Sequence, residues 1–324
     1  MLAQIPDILI RLRIQRSAWT TDISKLYNRL FLEESALPYS LFLYDPSLSD
    51  SVKPEVWVMT RAWYGVSSTG NQAAVALKRL ADLHQEEAPL AHDMLTSNIY
   101  VDDVVGGADS DVAREEQILQ TERVLGFGGF SVKFIARSGL PPPEGSSSDG
   151  VTVGCLGLSW DTSRDQLGPS ITSMNLQKKI RGQKAAPERD VSTTEGLRTA
   201  FKDGLITRAG VLSRTAEFFD PVGWWEPLRL QMKLSFQELN ALDWKDPVPE
   251  SMVETWICHF RQLETAQSLT IPHCVVPSDA PPEWRMRLIC LADAGEGAGG
   301  AAVYRGVEKP YGLSPVTCYL PKAG

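Results

Sequence analysis

The chain has 324 residues, 43% hydrophobic and 22% charged, an ordinary globular composition long enough for two or three separate cores. No uninterrupted apolar run approaches the roughly 20 residues that span a bilayer, so no transmembrane segment is predicted. A net charge of -8 argues against a general polyanion binder. It does not exclude a nucleic-acid enzyme, because catalytic carboxylates and acidic surface helices can outweigh a local basic groove.

In chain order, Ile5, Ile8, Leu9 and Leu12 recur at helical spacing behind Pro6 and Asp7, which predicts an amphipathic helix. A signal peptide fits less well, since the charges follow the apolar stretch and no small-residue cleavage site appears. Trp57–Trp63 reads as a strand, and Gly70–Leu83 as a helix with Ala74, Leu77 and Leu80 on its apolar face. Ile99–Val105 is a β-branched stretch interrupted by two aspartates, the pattern of a hairpin, and Ser110–Leu125 returns to helical spacing. GLPPPEGSSSDG (139–150) is a linker by composition. Residues 151–170 predict a second hairpin. From 174 to 284 the chain reads as mostly helical, with a proline-rich break at 272–282. It opens on a basic stretch of Lys178, Lys179, Arg181, Lys184 and Arg189. Two strands around a glycine turn, RLICLADAG and GAAVYRG, follow. No internal repeat occurs. The five cysteines (Cys155, Cys258, Cys274, Cys290, Cys318) are odd in number and scattered, and no Asn-x-Ser/Thr sequon is present. Both features favour a reducing, intracellular setting.

The chemistry-bearing feature is Asp102–Asp103 inside YVDDVV, two acids at the tip of an apolar hairpin. Adjacent carboxylates repel and desolvate at a cost, and a divalent cation is their natural compensation. Nucleotidyl transfer uses two such cations about 4 Å apart. Mg²⁺ prefers carboxylate oxygens and retains several waters, so few protein ligands suffice. A third acid must come from another strand, and Asp22, opening DISKLYN, is the candidate. The plainer readings stand beside these: a solvated turn for Asp102–Asp103, and a helix N-cap for Asp22.

DISKLYN, YGVSSTGNQAAVALKRLA and YVDDVVGG together resemble the ordered motifs of reverse transcriptases. LGFGGFSVKFIARSG, LGLSWDTSRDQL, LSRTAEFFDPVGWWEPLRLQMKLSFQEL, LDWKDPVPESMVETW and IPHCVVP are similar to the BEL/Pao class of long-terminal-repeat retrotransposons. The likeness runs from about residue 5 to 305. It implies an α+β chain. A ferredoxin-like palm, an antiparallel sheet with helices, would span 1–138 with a remnant of the fingers. A linker (139–150) and a primer-grip hairpin (151–173, with Leu156–Trp160 as the grip) would follow. Then come a helical thumb and connection with the Pao-type region (174–284) and the truncated start of an RNase H-like domain (285–324).

The resemblance also implies roles. Asp22, Asp102 and Asp103 would be the catalytic metal ligands for two Mg²⁺ ions, with Mn²⁺ as a substitute. Tyr27 would be the aromatic gate against a ribonucleotide 2′-hydroxyl, or a core aromatic, or both. Tyr64 and Gly65 would line the nucleotide pocket, a simple turn being the equal alternative for Gly65. Lys133 would protonate the pyrophosphate leaving group, against the commoner solvated lysine. The basic stretch after 174 would follow a duplex backbone, or be an exposed helix face. Asp293 would be the first carboxylate of the RNase H site. Expected partners are an RNA/DNA template–primer, deoxynucleoside triphosphates and the rest of a Pol polyprotein, in the cytoplasm or a retroelement particle and without a membrane. Few residues precede Asp22, and Gly70 stands where many relatives have proline. A chain lacking fingers and the later RNase H acids is expected to have little polymerase activity alone, and no RNase H activity.

Two other readings compete. Part of the chain, from about 155 to 270, resembles the Pao retrotransposon peptidase. Aspartic peptidases need paired carboxylates sharing a proton, and the chain offers only Asp161-Thr162-Ser163 and Asp293-Ala294-Gly295. The other reading is a decayed or domesticated fragment without catalysis. The Cys258-His259 and His273-Cys274 pairs fit no common zinc module, and GFGGFSVK lacks the phosphate-loop pattern.

Overall fold

The computed structural model describes residues 3–45, 53–147, 149–170, 191–276, 285–295, 299–309, 312–313 and 317–323. The chain divides into two units, Met1–Leu156 with Thr162–Arg164, and Gly157–Asp161 with Asp165–Gly324.

In the first unit, α1 (Ile5–Ile14) buries Ile8, Leu9 and Leu12, with Asp7 in its first turn and Arg11 and Arg13 in its last. Those charges complement the helix dipole. β1 (Ser17–Ile23) is buried along nearly its whole length, as a central strand should be, and a left-handed corner at Lys25 leads into the short α2 (Leu26–Arg29). β2 (Leu41–Tyr44) and β3 (Glu55–Val58) form a separate antiparallel pair. The strand predicted over Trp57–Trp63 therefore starts earlier and stops at Val58. Beyond it the backbone is taken by the segment after α2, through Leu32 N–H to Thr60 O (3.0 Å) and Ala62 N–H to Leu30 O (2.9 Å).

Next come α3 (Thr69–Leu83), α4 (Pro89–Ser97), β4 (Ile99–Tyr100), β5 (Asp103–Ala108), α5 (Asp111–Phe127), β6 (Val132–Arg137) and β7 (Thr152–Cys155). The sheet runs β4-β5-β1-β6 with every pair antiparallel. Traced through its helices it is a βαββαβ path of the ferredoxin-like kind. Trp19, Leu77, Leu95, Val104, Ile118 and Leu125 belong to one buried cluster joining sheet and helices. β5 carries two glycines for a steric reason: a Cβ on Gly106 would lie 2.2 Å from Trp19 Nε1. The ring lies across that strand and donates to Gln117 Oε1 (3.1 Å). α5 is capped by the Ser110 side chain at one end and followed by Gly129 at φ 73°, both favoured at helix termini.

Residues 139–147 and 149–150 hold no helix or strand, yet they are anchored. Gly139 N–H donates to Thr162 O (2.7 Å), Thr162 Oγ1 donates to Leu140 O (2.7 Å), and Asp149 Oδ1 accepts from the amides of Val151 and Thr152.

The second unit begins with β8 (Leu158–Asp161) and β9 (Gln166–Pro169), then α6 (Thr194–Lys202), α7 (Arg208–Glu217), α8 (Glu226–Gln237), α9 (Val253–Ala266) and β10 (Ile271–Pro272). β9 lies between β8 and β10. Thr193 and Thr207 cap α6 and α7 with their side chains. Leu197, Phe201, Trp256, Phe260 and Leu263 are buried where α6 meets α9. The basic stretch at Lys178, Lys179, Arg181, Lys184 and Arg189 lies outside the described residues. β11 (Arg285–Ala294), β12 (Gly299–Lys309), β13 (Gly312–Leu313) and β14 (Thr317–Ala323) make a further antiparallel sheet, with β12 paired to the other three.

Candidate active site

Asp22 and Asp103 are direct partners in the β1–β5 ladder, so both side chains leave the same face of the sheet. Asp102 belongs to the turn just before β5. Its carbonyl accepts the Ile23 N–H at 2.8 Å, which ties the turn to the end of β1. Val101, the first residue of that turn, has φ 58°. A β-branched residue at positive φ is a genuine outlier, and such strain collects at functional sites. On the other side, β6 pairs Ile135 with Thr21 and Val132 with Ile23, so Lys133 and Phe134 together oppose Asp22. This bulge re-aims the chain beside the acid.

The electrostatics follow from that placement. Asp103 is pushed up to about 6, first by burial, then by the Asp102 and Asp22 carboxylates, with Lys133 pulling the other way. Asp22 is raised by burial and by Asp102, again opposed by Lys133. The three acids thus share one electrostatic neighbourhood with a single lysine acting against their repulsion. They remain looser than a closed cation cage: among the described residues no three His, Cys, Asp or Glu side chains form a ready metal-holding group.

Tyr27 stands edge-on to Tyr64, ring centroids 5.2 Å apart. Burial raises its hydroxyl above the ordinary value, with further upward pushes from Asp102 and Tyr64. Its hydroxyl also looks onto the start of α3, where a Cβ on Gly70 would come within 3.8 Å. Tyr64 is 73% exposed, although a ring of that size usually seeks cover. Gly65 has φ 94° with open space where a Cβ would be, so the backbone conformation explains the glycine. The structure brings Asp22, Asp102, Asp103, Tyr27, Tyr64 and Lys133 together, with Gly65 adjoining Tyr64. The positive φ of Val101 carried no sequence signal, since nothing in a β-branched residue predicts it. Lys25, in the same corner as Asp22 and Tyr27, was legible only as the beginning of a helix.

Elsewhere the residues singled out by sequence have structural partners. Trp160 is fully buried and donates from Nε1 to Asp165 Oδ1 (3.1 Å). Asp165 Oδ2 lies 2.6 Å from Nδ1 of the buried His273. His259 Nε2 lies 2.9 Å from Ser235 Oγ. Asp293 is exposed on β11 opposite Gly300, and its Oδ1 accepts the Ala294 amide (2.9 Å). Thr162, within the DTS triplet, is fully buried and spends its hydroxyl on the Leu140 carbonyl.

A family model described as a Pao retrotransposon-like RNaseH-like domain matches residues 207–322. That region is Pao retrotransposon-like. The match runs from the N-cap of α7 into β14, so helices and strands of the second unit fall under one description, whose words are RNaseH-like rather than peptidase. It supports a BEL/Pao retrotransposon origin. No curated protein matches the chain. No helix among the described residues is long and apolar enough to cross a membrane.

Proposed function

We propose that the first unit is the nucleotidyl-transfer palm of a BEL/Pao-type reverse transcriptase, acting on an RNA/DNA template–primer and deoxynucleoside triphosphates. The observation that carries this reading is the register placing Asp22 opposite Asp103, with Asp102 in the adjoining turn. Burial first, and then the Asp102 and Asp22 carboxylates, hold a proton on Asp103 up to about 6, so the three acids are short of positive charge, which a hard divalent cation supplies. Their loose grouping suits Mg²⁺, which takes much of its coordination from water and substrate phosphates. When bound, a pair of Mg²⁺ or Mn²⁺ ions would activate the primer 3′-hydroxyl and neutralise charge on the triphosphate.

The chain's own groups do the rest. Asp22 and Asp102 would hold the metals, and Asp103 would be the third acid near the primer end. The Tyr27 ring, edge-on to Tyr64, would stand as the gate against a ribose 2′-hydroxyl. Tyr64 is exposed enough to meet a nucleotide base, and Gly65 lets the backbone approach it closely. Lys133, whose charge acts on Asp22 and Asp103, would give a proton to the departing pyrophosphate. The helices and strands of residues 207–322 would together serve as the RNase H-like portion.

The test is primer extension on an RNA template, comparing this chain, a longer version carrying an upstream fingers region, and Asp102→Asn in that longer version. Extension that is abolished by the substitution is expected. Extension that survives Asp102→Asn removes the metal-ligand assignment, and none from any version favours a non-catalytic fragment.

A further inference from the structure

β2 and β3 stand apart from the sheet that carries the acids, as a two-stranded pair whose outer edges are unpaired among the described residues. Such a pair is marginal in water and needs a third strand or a packed face to persist. Its register puts Leu41 opposite Val58 and Leu43 opposite Val56, so these four side chains share one face. All four are exposed, Leu43 at 69% and Val56 at 65%. The other face is already occupied by its own contacts. The Tyr44 and Trp57 rings meet there at 4.9 Å, and Trp57 Nε1 donates to Glu55 Oε2 (2.8 Å). Soluble proteins usually break up an aliphatic face beside open strand edges with a lysine or a proline. Neither residue interrupts these two strands.

Chemistry and size say what this face fits. It offers no charged or hydrogen-bonding side chain, so a nucleic acid or a polar peptide gains little from it, whereas a second aliphatic face does. Phe31 and Tyr39, 74% and 88% exposed, precede the hairpin in the chain. With their rings the apolar surface is on the order of 700 Å², near the roughly 800 Å² that each partner of a stable pair contributes. The surrounding charge is self-complementary. Arg61 lies over the Phe31 ring, 3.3 Å from its centroid. Arg29 comes before that ring in the chain, and Glu33 and Glu34 after it. All three are exposed and make no ion pair among the described residues. A two-fold axis lets the acids of one copy meet the bases of the other, and the reverse, in a single contact.

We infer that the aliphatic face of β2 and β3 docks the same face of a second copy of this chain, making a two-fold dimer. The inference does not depend on the nucleotidyl-transfer reading. Sedimentation velocity on the chain as it stands, from about 1 to 100 µM, should show a monomer passing to a dimer. Leu43→Lys and Val56→Lys should each stay monomeric throughout, with unchanged circular dichroism, because both side chains are exposed in the single chain. Leu119→Lys, at a similarly exposed site on α5, should dimerise as wild type does. Hydrogen exchange needs no variant. On concentrating the wild type, amides of 41–44 and 55–58 should gain protection while those of α5 do not. A wild type that is monomeric across the range overturns the inference, whatever other protein the hairpin binds. A dimer that survives both hairpin substitutions, is lost equally in Leu119→Lys, or adds no protection to β2 and β3 places the contact elsewhere and overturns it too.

Discussion

Asp22 and Asp103 face each other directly across the β1–β5 ladder, one strand-pair from the turn that carries Asp102. A like-charged pair in that position is destabilising in an ordinary sheet. Here it coincides with a half-buried acid, a strained turn and a neighbouring lysine, and its consequences are measurable without any assay of catalysis.

The first consequence is a pH dependence. Asp103 in the fold holds its proton up to about 6, against an ordinary value of 3.8. The folded chain therefore takes up this proton more readily than the unfolded one. The stabilisation is complete below the ordinary value and is lost as the pH rises through about 6. Asp103→Asn should raise stability at neutral pH by about 1–3 kcal/mol in the absence of divalent ions, and flatten the profile in between. Urea midpoints at about pH 4.5 and 7.5 decide it. A variant less stable than wild type at the higher pH would sink the claim.

Packing at β5 makes the second prediction. Gly106→Ala places a Cβ into the Trp19 ring, and should cost roughly 2–3 kcal/mol, at the upper end for overpacking. Gly126 lies within α5 with open space where a Cβ would go. Gly126→Ala should therefore stabilise by about 0.5–1 kcal/mol. Opposite signs for the two substitutions, read from denaturant midpoints, are the expected outcome.

The strained turn supplies the third. Val101 is half-buried at positive φ, so Val101→Gly should leave the melting temperature unchanged or raise it. Val104, fully buried in β5, has no such strain to relieve. Val104→Gly should lose about 2–4 kcal/mol. Similar losses from both would mean that the turn at Val101 stores no strain.

In the second unit, the His273 ring fills a buried position against Asp165 and lies near the Trp160 ring. His273→Ala should cost about 2–4 kcal/mol through the cavity and the lost charged hydrogen bond. Hydrogen exchange offers a local reading, because Leu167 pairs with Ile271 in the adjoining ladder. Faster exchange at the Leu167 amide, with Val104 and Val105 unaffected, is expected. No change at Leu167 would rule out a role for the His273–Asp165 contact in holding β9.

Periodicity and turn chemistry alone determined much of the first unit. The spacing of Ile8, Leu9 and Leu12, the run from Gly70 to Leu83, and the β-branched stretch around Asp102–Asp103 all appear as elements close to their predicted bounds. These signals are local, because side-chain period and φ preference act over a few residues. The strand expected over Trp57–Trp63 ends at Val58 because the backbone beyond it pairs with Leu30–Leu32, far away in the chain. Tertiary structure alone decided which aspartate would oppose which, because register depends on how two distant strands slide against each other and a shared core. It alone decided the positive φ at Val101 and Lys25, which neither residue type signals. A residue type can advertise a carboxylate, but the company that carboxylate keeps is set by the fold.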